Sequence, residues 1–99
     1  MEQGIKTILV VEDDKALNQA VVLKLKRKGY NPVSVFTAED AMKVLESGAD
    51  KIDFIWLDLL LPGMSGMDFL RLVRGNQKLK DKKVAIVSVS GGYEKQKEA

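Results

Sequence analysis

The architecture of this chain is built around Ile52-Asp53-Phe54-Ile55-Trp56-Leu57-Asp58-Leu59-Leu60-Leu61-Pro62-Gly63. An almost unbroken apolar run carries one central carboxylate and closes on a Pro-Gly turn. Short runs rich in Ile, Phe and Trp and bounded by turn signals read as a strand buried on both faces. Trp56 is expected to pack in that core. A carboxylate is rarely buried without a partner. Asp58 is therefore expected where the strand emerges, at its carboxyl end, the side on which open α/β sheets bind ligands.

Upstream, Lys6-Thr7-Ile8-Leu9-Val10-Val11 is a second β-branched run and reads as the first strand. It ends in Glu12-Asp13-Asp14, which also suits a helix start, where carboxylates meet exposed N–H groups and the positive dipole end. A helix is expected over about residues 15–28, with Leu17, Ala20, Val21 and Leu25 toward the sheet. Gly29 follows as its C-terminal cap. Residues 30–36 form the next strand, at an edge because Pro32 cannot donate to a ladder on both sides. Thr37-Ala38-Glu39-Asp40 is close to a capping box and opens a helix that turns Ala41, Val44 and Leu45 inward and stops near Ser47-Gly48.

Downstream of Asp58, Pro62 to Gly66 is a loop, and a third helix over about residues 66–74 presents Met67, Leu70 and Val73 at i, i+3, i+6. Residues 78–83 read as a basic, solvated linker. Val84-Ala85-Ile86-Val87-Ser88-Val89 is a fourth strand, broken at Gly91-Gly92, and residues 93–99 start a helix. The order β-α-β-α-β-α-β implies one parallel sheet with helices on both faces and right-handed crossovers.

Composition narrows the chemistry. Ninety-nine residues make one domain, 1–99, large enough to fold without a staple. With no Cys and no His there is no disulfide, no thiolate metal site and no His-activated nucleophile. No apolar run has the length of a membrane span, and residues 1–6 show no signal-type apolar core. A net charge of +2 against 30% charged residues gives no reason to expect a nucleic-acid or membrane partner.

If the first and third strands are neighbours, Glu12, Asp13, Asp14 and Asp58 converge, with Ser88 and Ser90 at the end of the fourth strand. Like charges at ~4 Å repel by roughly 4 kcal/mol at an effective dielectric near 20. Such a cluster calls for a cation, a shared proton or wide exposure. An all-oxygen donor set favours Mg²⁺, Mn²⁺ or Ca²⁺, and an open site with few carboxylates suits Mg²⁺.

These residues resemble the response-regulator receiver domain of two-component signalling. The resemblance rests on Ile8-Leu9-Val10-Val11-Glu12-Asp13-Asp14, on residues 54–66 with Asp58 and Leu-Pro-Gly-Met-Ser-Gly, and on Val84 to Ser88. It implies an α/β, flavodoxin-like (CheY-like) doubly wound parallel sheet of strand order 2-1-3-4. The family's fifth strand, with its lysine, and its last helix are missing from this chain, which is expected to be truncated before them. The resemblance further implies that Asp58 is the phosphoacceptor for a phosphoryl group from a sensor histidine kinase or phosphotransfer protein. Mg²⁺ would be held by Asp13 directly, by Glu12 through water, by Asp58 and by the backbone carbonyl of Leu60. Ser88 would contact the phosphoryl group and switch on its arrival. The domain would be a cytoplasmic phosphoprotein of a phosphorelay, not a turnover enzyme, with no membrane and no direct nucleic-acid contact. Val89 stands where the family commonly has a small residue. An alternative is a non-signalling fragment or engineered scaffold that completes its sheet as a homodimer through the exposed edge of strand four. A hydrolase of similar topology would need a second Asp two residues after the first, where this chain has Leu60.

Overall fold

Leu9, Val10 and Val11 are fully buried, and the strand they form is the axis of the sheet. The computed structural model describes residues 4–58, 61 and 63–86. In chain order the elements are β1 (Thr7–Val11), α1 (Lys15–Arg27), β2 (Asn31–Val35), α2 (Ala38–Gly48), a 3-10 turn (Ala49–Lys51), β3 (Phe54–Leu57), α3 (Gly66–Gly75) and β4 (Lys83–Ile86). The four strands are all parallel, in the order β2-β1-β3-β4. β1 pairs with both β2 and β3, with Val11 opposite Val35 on one side and Leu57 on the other. This is the expected α/β sheet and strand order. Pro32 sits on the edge strand β2, as its missing N–H requires.

Local chemistry sets the helix ends. The Asp14 carboxylate accepts the Leu17 N–H at 3.0 Å, Thr37 Oγ1 accepts the Asp40 N–H at 3.0 Å, and Ser65 Oγ accepts the Asp68 N–H at 3.1 Å. Each removes one of the unpaired amides at a helix start. At the far end of α1, Gly29 takes φ +91°. The Gly29 N–H donates to the Lys26 carbonyl and the Tyr30 N–H to the Leu25 carbonyl, both at 3.0 Å. That pairing is a Schellman motif, and glycine supplies its left-handed residue.

The main core lies on one face of the sheet. Leu9, Val11, Val35, Ile55 and Leu57 meet Ala38, Ala41 and Leu45 of α2 and Phe69 and Val73 of α3. Val44 packs against this core half-buried. α1 lies on β1 and β2. Three expectations change here. β3 is buried on one face only: Ile55 and Leu57 are fully buried, whereas Phe54 and Trp56 are half-buried. That face borders a groove of about 510 Å³ whose lining includes Ile8, Leu25, Tyr30, Phe54 and Trp56 together with the charged Lys6, Asp53 and Lys83. Ala20 is exposed, and the buried residue of α1 is Asn18. Met67 is 42% exposed, because α3 turns Gly66, Phe69 and Val73 inward instead.

The segment between α3 and β4 is more ordered than a solvated linker. Leu79 is buried in the core. The Arg74 guanidinium donates to the Lys80 and Lys82 carbonyls at 2.8 and 2.7 Å, and Lys82 Nζ donates to the Ile52 carbonyl at 2.6 Å. Val87 to Val89, Gly91-Gly92 and the helix start at residues 93–99 lie outside the described residues.

Candidate phosphoryl and metal site

The register of β1 against β3 brings the acidic residues together. Val11 and Leu57 are partners, so Glu12 and Asp58 leave the sheet side by side. The ladder extends one step past the strands: the Asp58 N–H donates to the Val11 carbonyl at 3.1 Å and the Glu12 N–H to the Val35 carbonyl at 3.2 Å. Carboxylate oxygens of Glu12, Asp13 and Asp58 lie within 4.8 Å of one another. Glu12 and Asp58 are each 1% exposed, and Asp13 is half-buried at the mouth.

Electrostatics mark Glu12. Its carboxyl is raised from an ordinary 4.5 to about 7. Burial is the largest cause, opposed by the Asp14 backbone N–H, which donates to Glu12 Oε2 at 2.8 Å. The negative charge of Asp58 and side-chain hydrogen bonds to Asp58 and Asp13 push it further up. The proton on Glu12 thus relieves the mutual repulsion of the cluster, and a cation would do the same. The donors are carboxylate oxygens only, which fits a hard divalent ion.

Asn18, a residue that reading along the chain overlooks, stands directly behind the site. Its Nδ2 donates to the Glu12 carbonyl at 3.0 Å and to the Val35 carbonyl at 3.1 Å, and Ser34 Oγ donates to its Oδ1 at 2.6 Å. The available signal was phase: residue 18 shares a helix stripe with Val21, Val22 and Leu25. On the other flank, the Met64 N–H donates to Glu39 Oε2 at 3.2 Å, tying the loop after β3 to the start of α2. Gly63 has φ +69°, and a Cβ there would lie 3.2 Å from Glu39 Oε2.

Of the residues expected at the site, Glu12, Asp13 and Asp58 converge. Asp14 caps α1 and lends its amide to Glu12. Leu60, Ser88 and Ser90 lie outside the described residues.

A parallel 2-1-3-4 sheet with an acidic trio at the carboxyl ends of β1 and β3 agrees with a direct sequence comparison. The model of the response regulator receiver domain matches residues 8–99. The chain belongs to that family. This receiver domain is 32% identical over 89 residues to the phosphate regulon transcriptional regulatory protein PhoB of Klebsiella pneumoniae, covering 90% of this chain and 38% of that protein. It is similar to the phosphorylated cyanobacterial phytochrome response regulator RcpA, with 30% identity, a TM-score of 0.79, and coverage of 88% of this chain and 67% of the other. Its fold matches the chemotaxis response regulator CheY4 of Vibrio cholerae with a TM-score of 0.81 at 23% identity, over 96% of this chain and 78% of the other. The receiver spans 28–38% of the length of the curated relatives it matches. Among the described residues, no helix is long and apolar enough to cross a membrane.

Proposed function

We propose that this receiver accepts a phosphoryl group on Asp58 from a phosphohistidine of a sensor kinase or phosphotransfer protein. The observation that carries the reading is the convergence of Asp58 with Glu12 and Asp13 at the mouth of a parallel sheet. An Asp58 carboxylate oxygen attacks phosphorus, the phosphorus–nitrogen bond of the donor breaks, and the imidazole keeps the electron pair and takes a proton from solvent. The product is an acyl phosphate on Asp58.

Phosphoryl transfer depends on positioning and charge neutralisation more than on covalent chemistry by the protein. Burial of Asp58 at the end of β3 limits its rotamers and excludes bulk water from the attacking oxygen. Asp13, nearer the solvent, and Glu12, behind it, belong to the oxygen set for Mg²⁺, together with Asp58 and the Leu60 carbonyl. Bound Mg²⁺ supplies the positive charge that lets an anionic carboxylate meet an anionic phosphoryl group. Ser88 is assigned the hydrogen bond to a phosphoryl oxygen. The domain is a signalling phosphoacceptor, and its partners are kinases or phosphotransfer proteins.

The test is phosphorylation of the full chain by acetyl phosphate and by a phosphohistidine donor, with and without Mg²⁺, read by intact-mass and peptide mass spectrometry. The expected adduct lies on Asp58, requires Mg²⁺ and is absent from Asp58→Asn. An adduct that persists in Asp58→Asn, or no adduct from either donor, refutes the assignment.

A further inference from the structure

The acidic site has a support that its three carboxylates do not provide for themselves. Asn18 is 1% exposed, the buried residue of α1, on the stripe that continues with half-buried Val21, Val22 and Leu25. An aliphatic side chain would suit that stripe on packing grounds. A buried carboxamide instead carries a desolvation cost that only complete hydrogen bonding offsets. Departures of this kind from local packing logic concentrate at functional sites.

Its bonding is complete and directional. Two carbonyl oxygens, those of Glu12 and Val35, face Nδ2 at 3.0 and 3.1 Å, so the group there must donate two hydrogen bonds from one atom. Ser34 Oγ meets Oδ1 at 2.6 Å and holds the amide plane. The Val35 carbonyl also accepts the Glu12 N–H at 3.2 Å. Glu12 is thereby held by both of its backbone polar groups, across the end of β1 and β2. Its carboxylate is held separately by the Asp14 N–H. If the Glu12 backbone rotates, Asp13 moves with it, and the convergence with Asp58 is lost.

We infer that Asn18 is the positioning residue of the acidic site: it locks the Glu12 backbone between β1 and β2 so that Glu12 and Asp13 face Asp58. Asp would place a carboxylate against two carbonyl oxygens, and Ser has too few donors for both. Supporting groups of this kind typically change metal affinity by about 10–100-fold when removed. The inference rests on the reading of the trio as a metal and phosphoryl site.

The experiment compares the full chain with Asn18→Leu, which keeps the branched four-atom shape and removes the amide, and with Ser34→Ala, which removes only the hydroxyl. Val73→Ala serves as a control that destabilises the core on α3. Mg²⁺ affinity is read by NMR titration, and amide hydrogen exchange at Glu12 and Asp14 is read relative to Leu9. Expected for Asn18→Leu are about tenfold weaker Mg²⁺ binding and relative exchange faster by about tenfold or more. Ser34→Ala shifts both the same way by a smaller factor and supplies the answer if Asn18→Leu does not fold. Val73→Ala leaves both ratios unchanged. Unchanged Glu12 and Asp14 exchange in the amide or hydroxyl variant overturns the inference, as does an equal response from Val73→Ala. If the unaltered chain takes up no Mg²⁺, the functional reading fails, and the exchange ratios alone decide whether Asn18 positions Glu12.

Discussion

At the scale of single residues, the site is a problem of three carboxyl groups in a small space. Glu12 and Asp58 are buried and Asp13 is half-buried, yet their oxygens lie within 4.8 Å. Each of the three is expected to matter for cation binding in its own way. Asp13→Asn removes charge at the mouth and is expected to weaken Mg²⁺ binding about tenfold or more, at least as much as loss of a supporting residue does. Asp58→Asn is expected to weaken it similarly and to abolish phosphorylation. Titration followed by NMR, with Trp56 fluorescence as a second probe two residues from Asp58, checks both. Affinity equal to that of the unaltered chain in Asp13→Asn would remove that residue from the metal set.

At the scale of elements, phase decides which residues count. α3 is capped by Ser65, whose side chain accepts the Asp68 amide, and the helix then buries Gly66, Phe69 and Val73. Phe69→Ala is expected to cost about 3–5 kcal/mol, whereas Met67→Ala at an exposed position is expected to change stability by less than about 0.5 kcal/mol. Urea denaturation of the two variants gives the comparison. Comparable losses would mean that α3 packs in the other phase. The loop before α3 depends on Gly63, whose φ of +69° and closeness to Glu39 leave little room for a side chain. Gly63→Ala is expected to destabilise by roughly 1–2 kcal/mol, the cost of a left-handed conformation in a non-glycine residue. A thermal melt unchanged from that of the unaltered chain would contradict it.

For the whole molecule, the proton on Glu12 couples folding to pH. Between about 4.5 and 7 the folded chain holds a proton that the unfolded chain has released. The folded state then binds more protons, so this group's contribution to stability falls as pH rises through that window and levels off above it. The total is roughly 3 kcal/mol for a rise from 4.5 to about 7. Denaturation of the metal-free chain and of Glu12→Gln across pH 5 to 8 isolates the effect: the difference between them is expected to grow in favour of the variant as pH rises. A difference independent of pH would show that Glu12 titrates normally. Mg²⁺ requires the ionised carboxylate, so its stabilisation of the fold is expected to be larger above pH 7 than at pH 5.

The amino-acid sequence alone determined the elements and their order. Apolar β-branched runs, the helix-start signals at residues 12–14 and 37–40, and the turns at Gly29 and Pro62-Gly63 act over a few residues, so they are legible along the chain. The edge position of Pro32 followed from its missing donor. The placement of Asp58 at a strand end followed from the cost of burying a lone carboxylate. Tertiary structure alone decided which helix faces were used and how complete each burial was. Ala20 and Met67 look outward, Trp56 is half-buried beside a groove, and Leu79 anchors a segment that reads as solvated. Periodicity names a stripe but not the neighbour that covers it. The same holds for the site. Glu12 and Asp58 are 46 positions apart, and only the pairing of β1 with β3 closes that distance. Asn18 became significant for the same reason: its carbonyl partners, Glu12 just past β1 and Val35 at the end of β2, are brought together only by the pairing of those strands.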